Sequence, residues 1–204
     1  MHTIKPMIFK TRNFLFPIVA GILISCGNDP IPKPKGFLRL EYPTPEYKNV
    51  DVSLPFTFDK NQLAERIRSI KADSINNIYG VDLDYPNLKG TIYLTYKNVS
   101  SREQLLSYIK DAQNLTQKHV IKADEIIEQP YLNKEHNVYG MFYEVGGNAA
   151  SQSQFYVTDS TNHFLNGSLY FYAKPNYDSI YPAAVYLKND IQHIMESLRW
   201  KDME

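Results

Sequence analysis

Hydrophobic and polar positions divide this chain into one unbroken apolar run near its start and a series of short periodic segments after it. Phe14 to Ile24 (FLFPIVAGILI) is uncharged and follows Lys5, Lys10 and Arg12, with no acidic residue before Cys26. This apolar core falls short of the ~20 residues a bilayer-spanning helix needs, and a basic start ahead of a short apolar core is the pattern of an export signal. Leu23-Ile24-Ser25-Cys26 then reads as a lipobox, with cleavage after Ser25 and a thioether-linked lipid on Cys26. Pro30, Pro32 and Pro34 stand at alternate positions next, and such spacing favours an extended polyproline stalk.

Beyond the stalk the periodicity predicts strands and two principal helices. Phe37 to Leu40 opens the fold, and Leu54 to Phe58 gives a second extended piece, placed at a sheet edge because Pro55 lacks the N–H a ladder needs. A short helix is expected over Leu63 to Ile70. In Thr91 to Tyr96 the side chains alternate, with Ile92, Leu94 and Tyr96 on one face and Thr91, Tyr93 and Thr95 on the other. Ser100 or Ser101 caps a helix whose stripe is Leu105, Ile109, Ala112 and Thr116, widened by Leu106. Four strands follow as a meander: Ile126 to Tyr131, Val138 to Val145, Gln152 to Thr158 and Phe164 to Tyr172, separated by segments rich in Asn, Asp and Gly. A last helix, from about Pro182 with Asp178 or Ser179 near its start, carries Ala184, Leu187, Ile191, Ile194 and Leu198 on one stripe, with Lys188 and Asp190 opposite.

Strands grouped together with helices at their ends predict an α+β class, a single domain with an antiparallel sheet and helices packed against it. The expected organisation is a signal peptide over 1–25, a lipidated cysteine and Pro-rich tether over 26–35, and a globular domain over 36–204. Cys26 is the only cysteine, so no disulfide forms within one chain. A lone thiol in an exported chain is accounted for if lipid consumes it. Removing residues 1–25 takes away three of the 22 basic residues and none of the 22 acidic ones, leaving a net charge of about −3. That balance argues against a nucleic-acid partner, which calls for a concentrated basic face. Sixteen tyrosines against one tryptophan point to many half-buried rings with a polar tip, as on strands and contact surfaces.

Candidate chemistry is sparse. The sequence contains no G-x-S-x-G elbow, H-E-x-x-H helix, phosphate loop or G-x-G-x-x-G turn. His119 with Asp124 is the most suggestive pair, at the exit of the first helix, where a histidine also suits the helix dipole. His136, His163 and His193 lack a second ligand at metal-binding spacing. Asp82 and Asp84 lie on one side of an extended segment, a start for a calcium site but short of the six to eight oxygens such a site takes; a solvated acidic turn is the plainer reading. Tyrosine stands beside proline at Tyr42, Tyr85, Tyr131 and Tyr181. Rigid aromatic anchors are common in protein interfaces, which makes Tyr42, Tyr85 and Tyr181 candidate partner contacts, against the alternative that they cap sheet edges and core.

The stretches PKPKGFLRLEYP (32–43), YPNLKGTIYL (85–94), LTQKHVIKAD (115–124) and YGMFYEVGGNAASQ (139–152) resemble GldD, a lipoprotein family of gliding Bacteroidetes, across nearly all of the mature chain. The resemblance implies a role in gliding motility and the associated type IX secretion machinery. The partners it implies are other gliding and secretion lipoproteins and envelope machinery proteins, with attachment to the membrane through acyl chains, palmitate among them, on Cys26. It supplies no catalytic residue, metal ligand or cofactor. The order of strands, helix, meander and final helix also looks like the PsbP/Mog1 type of fold, an analogy that carries no activity.

Two function classes stay open from the sequence. One is a non-enzymatic, lipid-anchored subunit that assembles or stabilises the apparatus from a periplasm-facing position on the outer or the inner membrane. The other is an envelope enzyme or ligand-binding protein using a site near His119 and Asp124.

Overall fold

The computed structural model describes residues 40–51, 53–73, 78–118, 122–172 and 176–201, all within one compact unit that begins at Phe37. It is an α+β domain built on two antiparallel sheets. The larger has seven strands in the order β3-β4-β5-β9-β8-β7-β6. These are β3 (Arg66–Asp73), β4 (Ile78–Tyr85), β5 (Gly90–Asn98), β6 (Ala123–Asn133), β7 (Val138–Gly147), β8 (Ser151–Thr158) and β9 (His163–Phe171). The smaller sheet places β2 (Phe56–Asn61) between β1 (Tyr47–Asp51) and β10 (Arg199–Trp200). Among the described residues two α-helices complete the fold, α1 (Arg102–Gln117) between β5 and β6 and α2 (Tyr177–Ser197) between β9 and β10.

Alternation along the central strands gives the large sheet two unlike faces. Val81, Leu83 and Tyr85 of β4, Ile92, Leu94 and Tyr96 of β5, Phe155 and Val157 of β8, and Leu165 and Leu169 of β9 form the main core with Leu187, Ile191 and Ile194 of α2. Phe56 and Phe58 of the small sheet join the same core, both fully buried. The opposite face carries Thr91, Tyr93, Thr95 and Lys97 of β5 and Asn166 and Ser168 of β9, and α1 packs on part of it through Leu105 against Tyr143, Tyr156 and Phe164. Leu106, expected to widen the α1 stripe, is 57% exposed.

Local sequence explains the helix limits. Ser101 caps α1, its Oγ accepting from Gln104 N at 3.2 Å, while Gln104 Oε1 accepts from Ser100 N at 2.8 Å, a reciprocal arrangement close to a capping box. Helix α2 starts five residues before the expected Pro182, because Asn148 Oδ1 accepts from Tyr177 N at 2.9 Å and Asn176 O accepts from Ser179 N at 3.0 Å. Pro182 sits close enough to that start to be tolerated.

Three sequence expectations are corrected. The segment read as a short helix over 63–70 is largely β3, because pairing with β4 from Arg66↔Asp84 onward supplies the ladder that a weak helical pattern does not. The stretch placed at an edge by Pro55 lies in the middle of its sheet: β2 begins one residue later, paired by β1 on one side and β10 on the other. Asp190 was set opposite the α2 stripe, yet it is fully buried. Its spacing of three from Leu187 and four from Ile194 places it on the inward face. The expected opening strand lies outside the described residues except for Leu40, which is in no element.

Close approach makes two glycines obligatory. A Cβ on Gly140 of β7 would stand 1.8 Å from the Tyr156 carbonyl oxygen, and one on Gly167 of β9 would stand 2.2 Å from the Phe155 ring that covers it. We expect Gly140→Ala to lose far more stability than a typical surface change, since the obstruction is backbone. Ile191→Ala should cost about 2 to 4 kcal/mol through lost burial and a residual cavity. Chemical denaturation checks both, and a cost below ~1 kcal/mol for Ile191→Ala would contradict the packing described.

Candidate functional site

The candidate positions from the sequence do not converge on one site. Ser25, Cys26 and His119 lie outside the described residues. Asp124 is exposed at the start of β6, beside Gly147, whose φ of +88° lets the two backbones approach closely. Tyr42 is half-buried, with its ring 5.1 Å from Tyr186. Tyr181 is half-buried, edge-on to Tyr177 at 5.4 Å, in a small crevice that also holds the Lys188–Glu144 ion pair at 2.8 Å. Tyr85 is 1% exposed, so the expectation of a partner contact is corrected there. Strand alternation turns it to the same face as Val81 and Leu83, into the core.

The acidic pair and the histidines are similarly resolved. Asp82 and Asp84 lie within β4 rather than in a solvated turn, and Asp84 is buried, accepting from Thr91 Oγ1 at 2.7 Å and from the Tyr172 hydroxyl at 2.8 Å. His136 occupies the β6–β7 turn. His163 is buried, its Nδ1 2.9 Å from the Tyr96 hydroxyl and its ring stacked on Trp200 at 4.9 Å. His193 stacks on Tyr47 at 3.6 Å. Among the described residues no three His, Cys, Asp or Glu side chains are grouped to hold a metal ion.

A cleft of about 750 Å³ lies between α1 and the polar face of β5 and β9. Lys97 and Thr95 from β5, Asn166 and Phe164 from β9, and Tyr108, Asp111 and Asn114 from α1 line it, and Lys118 closes one end. The Lys97 ammonium sits over the Tyr108 ring at 4.5 Å and 6.0 Å from the Phe164 ring. Burial lowers the pKa of Lys97, and Asp111 across the cleft opposes that shift. A narrow recess continues the cleft inward, sharing Ala112, Leu115 and Asn166 with it and ending on Gln154, Tyr143 and Tyr156. Burial pushes the Tyr143 hydroxyl up to about 12, so this ring stays a neutral donor at physiological pH.

A second polar cluster lies inside the main core, at Asp190. Its carboxylate accepts from the Tyr47 hydroxyl at 2.8 Å and from Asn61 Nδ2 at 2.9 and 3.1 Å. Asn61 Nδ2 also reaches the Tyr186 hydroxyl at 3.1 Å. Burial raises the Asp190 pKa, and the Tyr47 and Asn61 donors pull against that rise without cancelling it. The cluster joins β1, β2 and α2 through buried hydrogen bonds and so ties the three elements together. Sequence reading missed both features. The spacing Leu187, Asp190, Ile191, Ile194 was the available signal for the tie, and the alternation of Thr95 and Lys97 with Leu94 and Tyr96 was the signal for the cleft wall.

The model of the family described as gliding motility lipoprotein GldD matches residues 27–200. The chain belongs to that family. The match begins one residue after Cys26 and takes in every described element through β10. No curated protein and no solved structure matches the chain, so the PsbP/Mog1 analogy gains no structural counterpart. The GldD description names gliding motility and a lipoprotein, and it names no reaction. Among the described residues no helix is long and apolar enough to cross a membrane, which together with the lipoprotein family fits a lipid-anchored envelope protein.

The raised pKa of Asp190 has a signed consequence. The folded state holds this proton more tightly than the unfolded chain, so the stability tied to it is complete below the ordinary carboxylate value of 3.8 and is lost as pH rises through the raised folded value. Asp190→Asn removes the titration. The stability of the native protein relative to this variant should therefore fall as pH is raised above about 4, measured by urea denaturation at several pH values. A pH-independent difference would contradict the raised pKa.

Proposed function

We propose that this GldD family member is a non-enzymatic, lipid-anchored subunit of the gliding motility and associated type IX secretion apparatus, acting in assembly or stabilisation through protein–protein contacts. The family match over 27–200 carries this reading, because it joins a gliding motility lipoprotein description to a chain whose matched part begins right after the lipobox cysteine. Cys26 bears the acyl chains, and the Pro-rich stalk sets the reach of the domain from an outer- or inner-membrane surface. Two acyl chains make such attachment stable where one chain gives only marginal, reversible binding, which suits a structural subunit. Other envelope lipoproteins and machinery proteins are its partners.

The contact surface we favour is the β6 end of the large sheet. Among the described residues β6 is an edge strand of 11 residues, with Ile127 39% and Leu132 72% exposed on it. An open edge offers unpaired backbone groups to another strand, and Pro130 within it limits how far such pairing runs. Tyr42 and Tyr181 keep partial exposure and remain candidates for peripheral contacts, whereas Tyr85 does not.

Two tests separate anchor from surface. Cys26→Ser should abolish acylation and leave uncleaved precursor, read by mass spectrometry of the N-terminus; unmodified Cys26 in mature protein would overturn the anchor. Ile127→Lys with Leu132→Lys should abolish gliding and partner co-purification while shifting the melting temperature by under ~4 °C, as exposed substitutions do. Normal gliding in the double variant would place the contact surface elsewhere.

A further inference from the structure

The cleft beside α1 holds two polar groups whose bonding capacity is unused. The Lys97 ammonium makes ring contacts with Tyr108 and Phe164 and, among the described residues, no hydrogen bond or ion pair. Its three N–H donors and its charge are thus held at the wall of a 750 Å³ concavity, a size that accepts a small organic ligand. Gln154 is 3% exposed and lines the recess that continues the cleft. Its Oε1 accepts from Thr116 Oγ1 at 3.0 Å, and its Nε2 has no hydrogen-bond partner among the described residues. A buried amide donor without an acceptor is a standing cost to the fold, relieved when an acceptor oxygen enters the recess.

We propose that this cleft binds a short peptide through its carboxylate, with Lys97 taking the carboxylate and Gln154 Nε2 donating to a carbonyl oxygen that enters the recess. The charge in the cleft favours a single negative charge over a dianion. Asp111 and the carbonyl-bearing C-terminal end of α1 both face the space that Lys97 and Lys118 serve, so the net positive potential is small. The side-chain amides of Asn114 and Asn166 offer both donors and acceptors to peptide groups, and the Tyr108 and Phe164 rings give apolar walls for small side chains.

The test is isothermal titration calorimetry of the full lipoprotein in detergent, with N-acetyl-alanyl-alanine as probe. Saturable binding is expected, with the C-terminal amide of the same dipeptide weaker by about ten- to a hundredfold, the range of a lost charge-assisted hydrogen bond. Lys97→Met should lose binding to the same extent, and Lys97→Arg should keep most of it. Gln154→Met should weaken binding without lowering the melting temperature, a combination that a merely structural role for Gln154 would not give, and it serves as the test if Lys97→Met fails to fold. Equal affinity for acid and amide, unchanged binding in Lys97→Met, no saturable binding at all, or binding of galacturonate in place of the peptide would each overturn the proposal.

Discussion

Period-two alternation along β4, β5, β8 and β9 is the constraint from which the other layers of this domain follow. It commits one face of the large sheet to Val81, Leu83, Ile92, Leu94, Leu165 and Leu169, which must be covered, and α2 with the small sheet covers them. It commits the other face to Lys97, Thr95, Asn166 and Ser168, which tolerate water, so α1 packs there by one patch around Leu105 and leaves a cleft beside it. A helix seated on a polar face excludes less water than one seated on a core. The position of the cleft is therefore a product of strand alternation rather than of any loop.

Within the covered face, polar chemistry fixes what apolar packing alone leaves loose. Leucine and isoleucine on α2 would pack against Phe56 and Phe58 in more than one relative position, because dispersion contacts are not directional. The Asp190 carboxylate, bonded to Tyr47 and Asn61, admits one. Asp59 N donating to Ser197 Oγ at 2.9 Å, about two turns further along the same face, pins the same helix to the same strand. Burying such a group has a net cost in stability, and its return is register. The raised pKa of Asp190 is the visible sign of that cost.

Strong periodic segments were legible in the sequence. The β5 alternation, a serine cap of α1 at Ser100 or Ser101, the four-strand meander and the α2 stripe all follow from local pattern, and four stretches between residues 32 and 152 carried the resemblance to the family. The failures share a cause in long-range pairing. The strand character of β3 depends on β4, the central place of β2 depends on β10 at the far end of the chain, and the two-residue β10 is too short to carry a pattern. Tyr85 and Asp190 were misplaced because each departs from type, a tyrosine wholly inside and a carboxylate on an apolar stripe. The cleft needed the third dimension, since Lys97 and Tyr108 belong to different elements.

The contacts of the first two strands with the last helix and β10 also order events in time. Tyr47 and Asp190 are 143 residues apart, and β2 receives its second neighbour only from Arg199 and Trp200. A chain emerging from its N-terminus presents Phe56 and Phe58 before α2 and β10, which complete their cover, have been made. The small sheet is thus completed by contacts of high sequence separation, which are slow to form. Loss of Arg199 and Trp200 would leave β2 with β1 as its one neighbour and strip Phe56 of an edge-on ring, so a change near residue 200 is felt in the first strands of the domain.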